Sequence, residues 1–244
     1  MNRTQLPHDN EIHLHYLTLP HHPAELSRLV QFLSPSEKDR ACRLKDVTAR
    51  SRFIAGRGIL REILASYISI HPALLHIISE TDGKPYLADP AHTLRFNLSH
   101  TGDVLLLAVA DNREVGVDIE TVESDKPLKA MARTVFSNRE QEELLALSSA
   151  GLQNAFYRFW VRKEACLKAS GRGFSHHNNS FDVNGPVAEA STRTVSCNGS
   201  DWHILDIQVP HPYCAALAVT AHDPSHPQPT PVFQPCIFTN LSLN

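Results

Sequence analysis

The chain has 244 residues and is 42% hydrophobic, enough to build a real core in one large domain or in two of about 120 residues each. Charged residues make up 20% and nearly cancel, leaving a formal net charge of −3, so the overall basicity of a general nucleic-acid binder is absent. The five cysteines (Cys42, Cys166, Cys197, Cys214, Cys236) are odd in number and form no C-x-x-C pair, which predicts free thiols in a reducing compartment.

The polar stretch from Met1 to Glu11 lacks the apolar core of a signal peptide, and the longest apolar run, Val104 to Ala110, is far too short to span a bilayer. A soluble cytoplasmic protein with no membrane contact is expected. Of the 15 histidines, the pairs His13/His15, His21/His22 and His176/His177 lie in polar surroundings without zinc-type spacing and read as surface residues.

In chain order, Glu11 to Leu19 alternates Ile12, Leu14 and Tyr16 with polar partners and predicts a strand. Ser34-Pro35-Ser36-Glu37 joins a capping serine, a proline at the first helical position and a glutamate at the third, opening a helix to about Lys45 with Lys38, Arg40 and Arg43 exposed. A longer helix follows from Thr48 to Ser69, its buried face formed by Phe53, Ile54, Leu60, Ile63, Leu64 and Tyr67. Arg50, Arg52, Arg57 and Arg61 are expected on its other side. Gly56-Arg57-Gly58 lacks the third glycine and the preceding strand of a dinucleotide fingerprint, so close helix packing explains it better.

Asp82-Gly83-Lys84-Pro85 is a turn by composition and puts Lys84 on a short loop. Leu94, Phe96 and Leu98 alternate as a strand, ended by Ser99-His100-Thr101-Gly102, a segment whose hydroxyl, backbone and imidazole donors suit a phosphate but also make an ordinary polar turn. Val104 to Ala110 and Val115 to Glu120 form a strand pair across the turn Asp111-Asn112-Arg113-Glu114. Ser137-Asn138-Arg139-Glu140 is a second capping box that opens a helix to about Ser148 and gives Glu140 a structural reason to be there. A further long helix, Asn154 to Ser170, is followed by short alternating strands over Asn179 to Pro210 and a closing strand from Tyr213 to Thr220. Proline recurs from Asp223 to Pro235, predicting an extended tail. Each half pairs strands with one long helix, so the expected fold class is α+β with two comparable lobes: residues 1–114, residues 115–222, and a Pro-rich tail over 223–244.

The chemistry centres on Gly116-Val117-Asp118-Ile119-Glu120, where the two-residue period puts Asp118 and Glu120 on one face of a strand. Phe156, Phe159, Trp160 and Leu167 form the apolar stripe of the second long helix, with Lys163, Glu164 and Lys168 beside it. Adjacent carboxylates need a cation or a raised pKa to coexist. Oxygen-only ligands favour a hard ion such as Mg2+, which combines a few carboxylates with substrate phosphates, and the lysines suit those phosphates. Plainer readings stand beside this one: a solvated edge-strand face for Asp118 and Glu120, a helix-surface pair for Glu164 and Lys168, and ordinary core for Trp160.

With these residues assembled, the sequence resembles the 4'-phosphopantetheinyl transferases of the Sfp type. The resemblance is carried by Gly83-Lys84-Pro85, Phe96-Asn97-Leu98-Ser99-His100, Gly116-Val117-Asp118-Ile119-Glu120 and Phe159-Trp160-x-x-Lys163-Glu164-Ala165, the last followed by Lys168 and Gly171-x-Gly173. It implies two similar α+β subdomains related by a pseudo-twofold axis, with coenzyme A bound between them. It also implies Asp118, Glu120 and Glu164 as the ligands of Mg2+, or of Mn2+ in its place, with Glu164 as the general base. Lys168, catalytic as well, and Lys163 would contact coenzyme A phosphate; Ser99 and His100 would hold the phosphates, and Lys84 matches the G-K-P lysine. Arg52 would reach the 3'-phosphate, with Lys38 assisting.

The function so implied is transfer of 4'-phosphopantetheine from coenzyme A to a serine of an apo acyl or peptidyl carrier protein in fatty-acid, polyketide or nonribosomal peptide synthesis, with 3',5'-ADP released, by a monomer. Two other readings use the same residues: a Mg2+-dependent phosphohydrolase of coenzyme A or a related nucleotide, and a carrier-binding module without catalysis. The arginine-bearing helix from Thr48 and the segment from Thr121 to Phe136 are the expected docking surfaces for an acidic carrier.

Overall fold

A computed structural model describes residues 4–8, 10–79, 83–89, 91–171, 180–184, 192–221 and 228–234. Gly173, the pair His176/His177, residues 185–191 of the expected strand region and most of the 223–244 tail lie outside these. The strand β1 (Glu11–Thr18) opens the fold and is followed by three helices, α1 (Pro23–Leu29), α2 (Pro35–Arg43) and α3 (Val47–Ile68). Next come the short strands β2 (Ile77–Ser79) and β3 (Pro85–Leu87), then β4 (Leu94–Thr101), β5 (Val104–Asp111) and β6 (Val115–Thr121). The helices α4 (Leu128–Val135), α5 (Asn138–Leu145) and α6 (Ser149–Ser170) precede β7 (Arg193–Cys197), β8 (Ser200–Ile207), β9 (Tyr213–Thr220) and β10 (Thr230–Phe233).

The architecture is α+β. One sheet has the order β10-β1-β5-β4 and the other β6-β9-β8-β7, while β2 and β3 form a hairpin of their own. All pairs are antiparallel except β1 with β10, where Glu11 lies opposite Thr230 and Leu14 opposite Phe233. Within the expected tail, therefore, Thr230–Phe233 is a strand.

The layers follow from which side each strand turns to which core. On β5, Leu105, Leu107 and Val109 pack against α3, while Val104, Leu106, Ala108 and Ala110 join a second core between the two sheets. The other sheet supplies Val115, Val117, Ile119, Leu205, Ile207, Leu217 and Val219 to that shared core, and its far face packs on α6 through Ile204, Ala216 and Ala218. The order is helix, sheet, sheet, helix, with β5 apolar on both faces because both are covered.

Helix boundaries follow capping chemistry. Ser34 and Ser137 each form a full capping box, with Glu37 and Glu140 respectively. The helix expected to reach Ser148 ends at Leu145, because Ser148 caps a new helix by accepting from the Gly151 N–H. Two placements differ from expectation. Arg61 is buried, donating to Glu37 at 2.7 Å and to the carbonyls of Pro72 and Leu75, so it staples α3 to α2 and to the turn beyond α3. His13 and His15 are buried as well: both ring systems reach the Tyr67 hydroxyl, at 2.8 and 2.9 Å, beneath α3.

Candidate active site

The site forms where α6 crosses β6. Gly116 makes the crossing close: a Cβ at that position would overlap the backbone of Ala165 and Ala169. On the same face of β6, two and four residues further on, Asp118 and Glu120 look toward the helix. Facing them is a stripe of period four on α6, Trp160, Glu164 and Lys168. The helix and strand run in opposite senses, so Trp160 lies at Glu120 and Lys168 at Asp118.

Asp118 is the centre of the contacts, with only 2% of its surface exposed. Its Oδ1 accepts from the Ser99 hydroxyl at 2.8 Å and from the Lys168 ammonium at 2.6 Å. Lys168 also donates to Ser99 Oγ at 2.9 Å. Among the described residues, Asp118 Oδ2 is buried with no hydrogen-bond partner. Trp160 hydrogen-bonds the Glu120 side chain, so a residue read as plain core has a second task; its indole N–H, one turn before Glu164 on the same helix face, was the available signal.

The electrostatics set the acids apart. Burial, followed by repulsion from Asp118, pushes the Glu164 carboxyl from its ordinary 4.5 up to about 7, with Lys168 opposing the rise. Glu120 is raised by the same two causes in the same order, and here Lys168 and Trp160 oppose it. His100, exposed at the end of β4, is nonetheless lowered by desolvation and then by the charges of Lys168 and Arg52. Arg52 is held to Asp103 at 2.7 Å, an acid that it shares with His21.

Ser99, Asp118 and Lys168 are thus in direct contact, Glu120, Glu164 and His100 lie within electrostatic reach of Lys168, and Arg52 within that of His100; three of the expected residues make their contacts elsewhere. Lys163 is a correction. It is 1% exposed, paired at 3.0 Å with the fully buried Glu140, bonded to the Phe181 carbonyl and set over the Phe181 ring. Neighbouring helix positions point about 100° apart, so Lys163 and Glu164 cannot both face β6. Lys84, whose side chain is 8% exposed, donates to Glu114 Oε2 at 2.5 Å and to the Ala169 carbonyl at 2.7 Å, and lines a small pocket with Arg95, Phe96 and Glu114. Lys38 is exposed on α2, and among the described residues no side-chain contact ties it to the site.

The donor chemistry fits a hard divalent ion. Asp118 Oδ2 is an orphaned buried acceptor, and two further carboxyls, Glu120 and Glu164, carry raised pKa values that a cation would relieve. Among the described residues no group of three or more His, Cys, Asp or Glu is gathered tightly enough to hold a metal alone. An ion here would therefore complete its shell with water or phosphate oxygens, as Mg2+ commonly does.

Two family models match the chain. The 4'-phosphopantetheinyl transferase superfamily model covers residues 114–218, and the model for the N-terminal part of 4'-phosphopantetheinyl transferase covers residues 20–112. The chain is 35% identical over 214 residues to the 4'-phosphopantetheinyl transferase HetI of Nostoc sp., spanning 87% of this chain and 88% of that one. It is 29% identical to the phosphopantetheinyl transferase of Thraustochytrium sp., covering 82% of this chain and 75% of the relative. With the 4'-phosphopantetheinyl transferase Sfp of Bacillus subtilis it shares 29% identity over 69% of this chain and 73% of that protein. No described helix is long and apolar enough to cross a membrane.

Proposed function

Since the chain belongs to the 4'-phosphopantetheinyl transferase superfamily, we propose that the α6–β6 crossing carries the family's reaction: transfer of 4'-phosphopantetheine from coenzyme A to a serine hydroxyl of an apo carrier protein, with 3',5'-ADP released. The two lobes are residues 1–114 and 115–222, and coenzyme A lies between them. The observation that carries this reading is the meeting of Asp118, Lys168 and Ser99 at one point, with Glu164 near enough to be repelled by Asp118 and His100 near enough to feel the charges of Lys168 and Arg52.

In the transfer, the carrier serine Oγ forms a bond to the β-phosphorus of coenzyme A while the bond from that phosphorus to the bridging oxygen breaks. That oxygen leaves on 3',5'-ADP. The serine proton passes to Glu164, the acid facing Asp118 and Lys168 from α6 whose charged form burial and Asp118 disfavour when no cation is bound. Lys168 and His100 hold the pyrophosphate, Ser99 fixes Lys168 and Asp118 against each other, and Arg52 takes the 3'-phosphate. Asp118, Glu120 and Glu164 would hold Mg2+, which neutralises charge on the bridging phosphates when bound. Lys163, occupied elsewhere, has no place in this set. The acidic carrier docks against the segment 121–136, where α4 and its approach form a groove lined by Lys126, Leu128, Lys129 and Leu152.

The direct test is to incubate the protein with coenzyme A, Mg2+ and a panel of apo carriers and to read intact carrier masses. A gain of one phosphopantetheine, abolished in Asp118→Ala, is expected. Coenzyme A cleaved equally well without any carrier would overturn the transferase reading in favour of a phosphohydrolase.

A further inference from the structure

Lys84 sits immediately before β3, in the half of the chain that carries none of the candidate acids, yet it reaches Glu114, the last residue of that half, and the Ala169 carbonyl in the other half. Glu114 is the residue just before β6, and Ala169 lies in the last turn of α6. Glu114 is gripped twice, because Arg95 on β4 donates from Nε to its other oxygen at 2.7 Å. The Ala169 carbonyl is one of those that the end of a helix leaves without an intrahelical donor, and a lysine there also meets the negative end of the helix dipole. Lys84 thus caps α6 from outside.

The mechanical consequence follows from what the two anchored elements bear. Glu114 begins the strand that carries Asp118 and Glu120, and Ala169 adjoins Lys168 on the helix that carries Glu164. Gly116 lies between these anchors and lets the backbone of Ala165 and Ala169 rest directly on the strand. Lys84, Glu114 and Ala169 therefore close a clamp around the closest point of the crossing. With its side chain 8% exposed and its ammonium on two acceptors, Lys84 is held in that clamp.

We propose that Lys84 is a positioning residue: with Glu114 and Arg95 it pins the end of α6 to the start of β6 and so fixes Lys168 and Glu164 against Asp118. The kinetic part of this proposal rests on the transfer reaction proposed above, whereas the clamp itself can be read without any turnover.

Four variants of the 244-residue chain decide it: Lys84→Met, Glu114→Gln, the pair together and the conservative Lys84→Arg. The expected result is a fall in kcat of about tenfold or more for Lys84→Met and for Glu114→Gln, since small misplacements of reacting groups cost at least that. Coenzyme A affinity by titration calorimetry should stay within about twofold, and the double variant should lose less than the sum of the two single ones, because both break the shared Lys84–Glu114 contact. Amide hydrogen exchange should rise in residues 165–171 and 114–118 in the first three, and Lys84→Arg, which retains a donor, should restore most of the wild-type rate. A Lys84→Met protein with weakened coenzyme A binding, beside a Glu114→Gln protein that binds normally, would overturn the proposal in favour of direct substrate contact. Unchanged exchange at the α6 end would overturn it whether or not the wild type shows transfer. Failure of the wild type to modify any carrier would count against the proposed function alone. Should Lys84→Met fail to fold, Glu114→Gln carries the same readouts.

Discussion

Glu164→Gln is the substitution whose outcome depends most directly on the electrostatics of the site. The Glu164 carboxyl titrates at about 7 in the fold against an ordinary 4.5, chiefly from burial and secondarily from Asp118. Its folded-state pKa is raised, so between these values the native protein holds a proton that the unfolded chain has lost. The corresponding stability is whole below pH 4.5 and disappears as pH rises through 7. A shift of this size amounts to roughly 3 kcal/mol. Residual solvent access at this half-buried group reduces it to about 1 to 3 kcal/mol. Glutamine is neutral throughout and carries no such penalty. In urea denaturation with EDTA present, Glu164→Gln should therefore match the wild type near pH 5 and exceed it by about that amount at pH 8. Added Mg2+ should narrow or reverse the gap, because a cation at the acids stabilises the ionised wild type. Transfer should fall by about a hundredfold or more on loss of the base. Equal stability differences at pH 5 and pH 8 would refute the claim that burial and Asp118 strain this carboxylate.

Three other outcomes follow from separate contacts. Lys163→Met leaves the buried Glu140 without its cation and should cost about 3 to 5 kcal/mol in denaturation while coenzyme A affinity of the folded fraction is unchanged; weaker coenzyme A binding with full stability would restore Lys163 to the substrate site. Gly116→Ala forces a methyl group into the backbone of α6 and should reach or exceed the ~3 kcal/mol upper end of overpacking costs, read as a fall in the denaturation midpoint. His15, pushed down from 6.5 to about 4 by burial and then by His13, resists protonation in the fold, so wild-type stability should fall as pH drops from 6.5 through 4. His15→Gln should flatten that slope, and a slope identical to the wild type's would exclude His15 as its source.

The acid-bearing strand and the stripe on α6 were legible because both rest on local periodicity. The two-residue alternation of Gly116 to Glu120 needs no tertiary information, and neither does the four-residue spacing of Trp160, Glu164 and Lys168. The same helical geometry excluded Lys163 from the face of Glu164, an inference available from the sequence that the motif resemblance obscured. What stayed hidden depends on partners distant in the chain. The alternation of His13 and His15 with Ile12, Leu14 and Tyr16 reads as a half-exposed strand; only the covering helix, with Tyr67 aimed at both rings, turns the polar face into a buried one. Arg61 is similar, because nothing near it in sequence announces that Glu37 and two carbonyls will satisfy its guanidinium. The pairing of Thr230–Phe233 with β1 spans more than two hundred residues and leaves only proline-rich composition as its local trace.

The join between the two sheets explains why the segment Asn97 to Thr101 has its particular alternation. β4 and β6 are both sheet edges, and edges carry unpaired backbone donors that must be covered. They meet side by side, but the donors of β6 are met by side chains: the Val117 N–H donates to Asn97 Oδ1 at 2.9 Å, Ile119 N–H to Ser99 Oγ at 3.4 Å and Thr121 N–H to Thr101 Oγ1 at 3.3 Å. From Asn97 to Thr101, every second residue of β4 is thus a short polar side chain because it stands in for a strand backbone. Ser99 lies in the middle of that row and is also the hydroxyl that bonds Asp118 and Lys168. Residues alternate in direction along a strand, so His100 turns away from the seam, where Lys168 and Arg52 bear on it. The contacts that join the two sheets therefore fix the register of Asp118 and set Ser99 against it, so the row of contacts that docks the two sheets is also the one that builds the site.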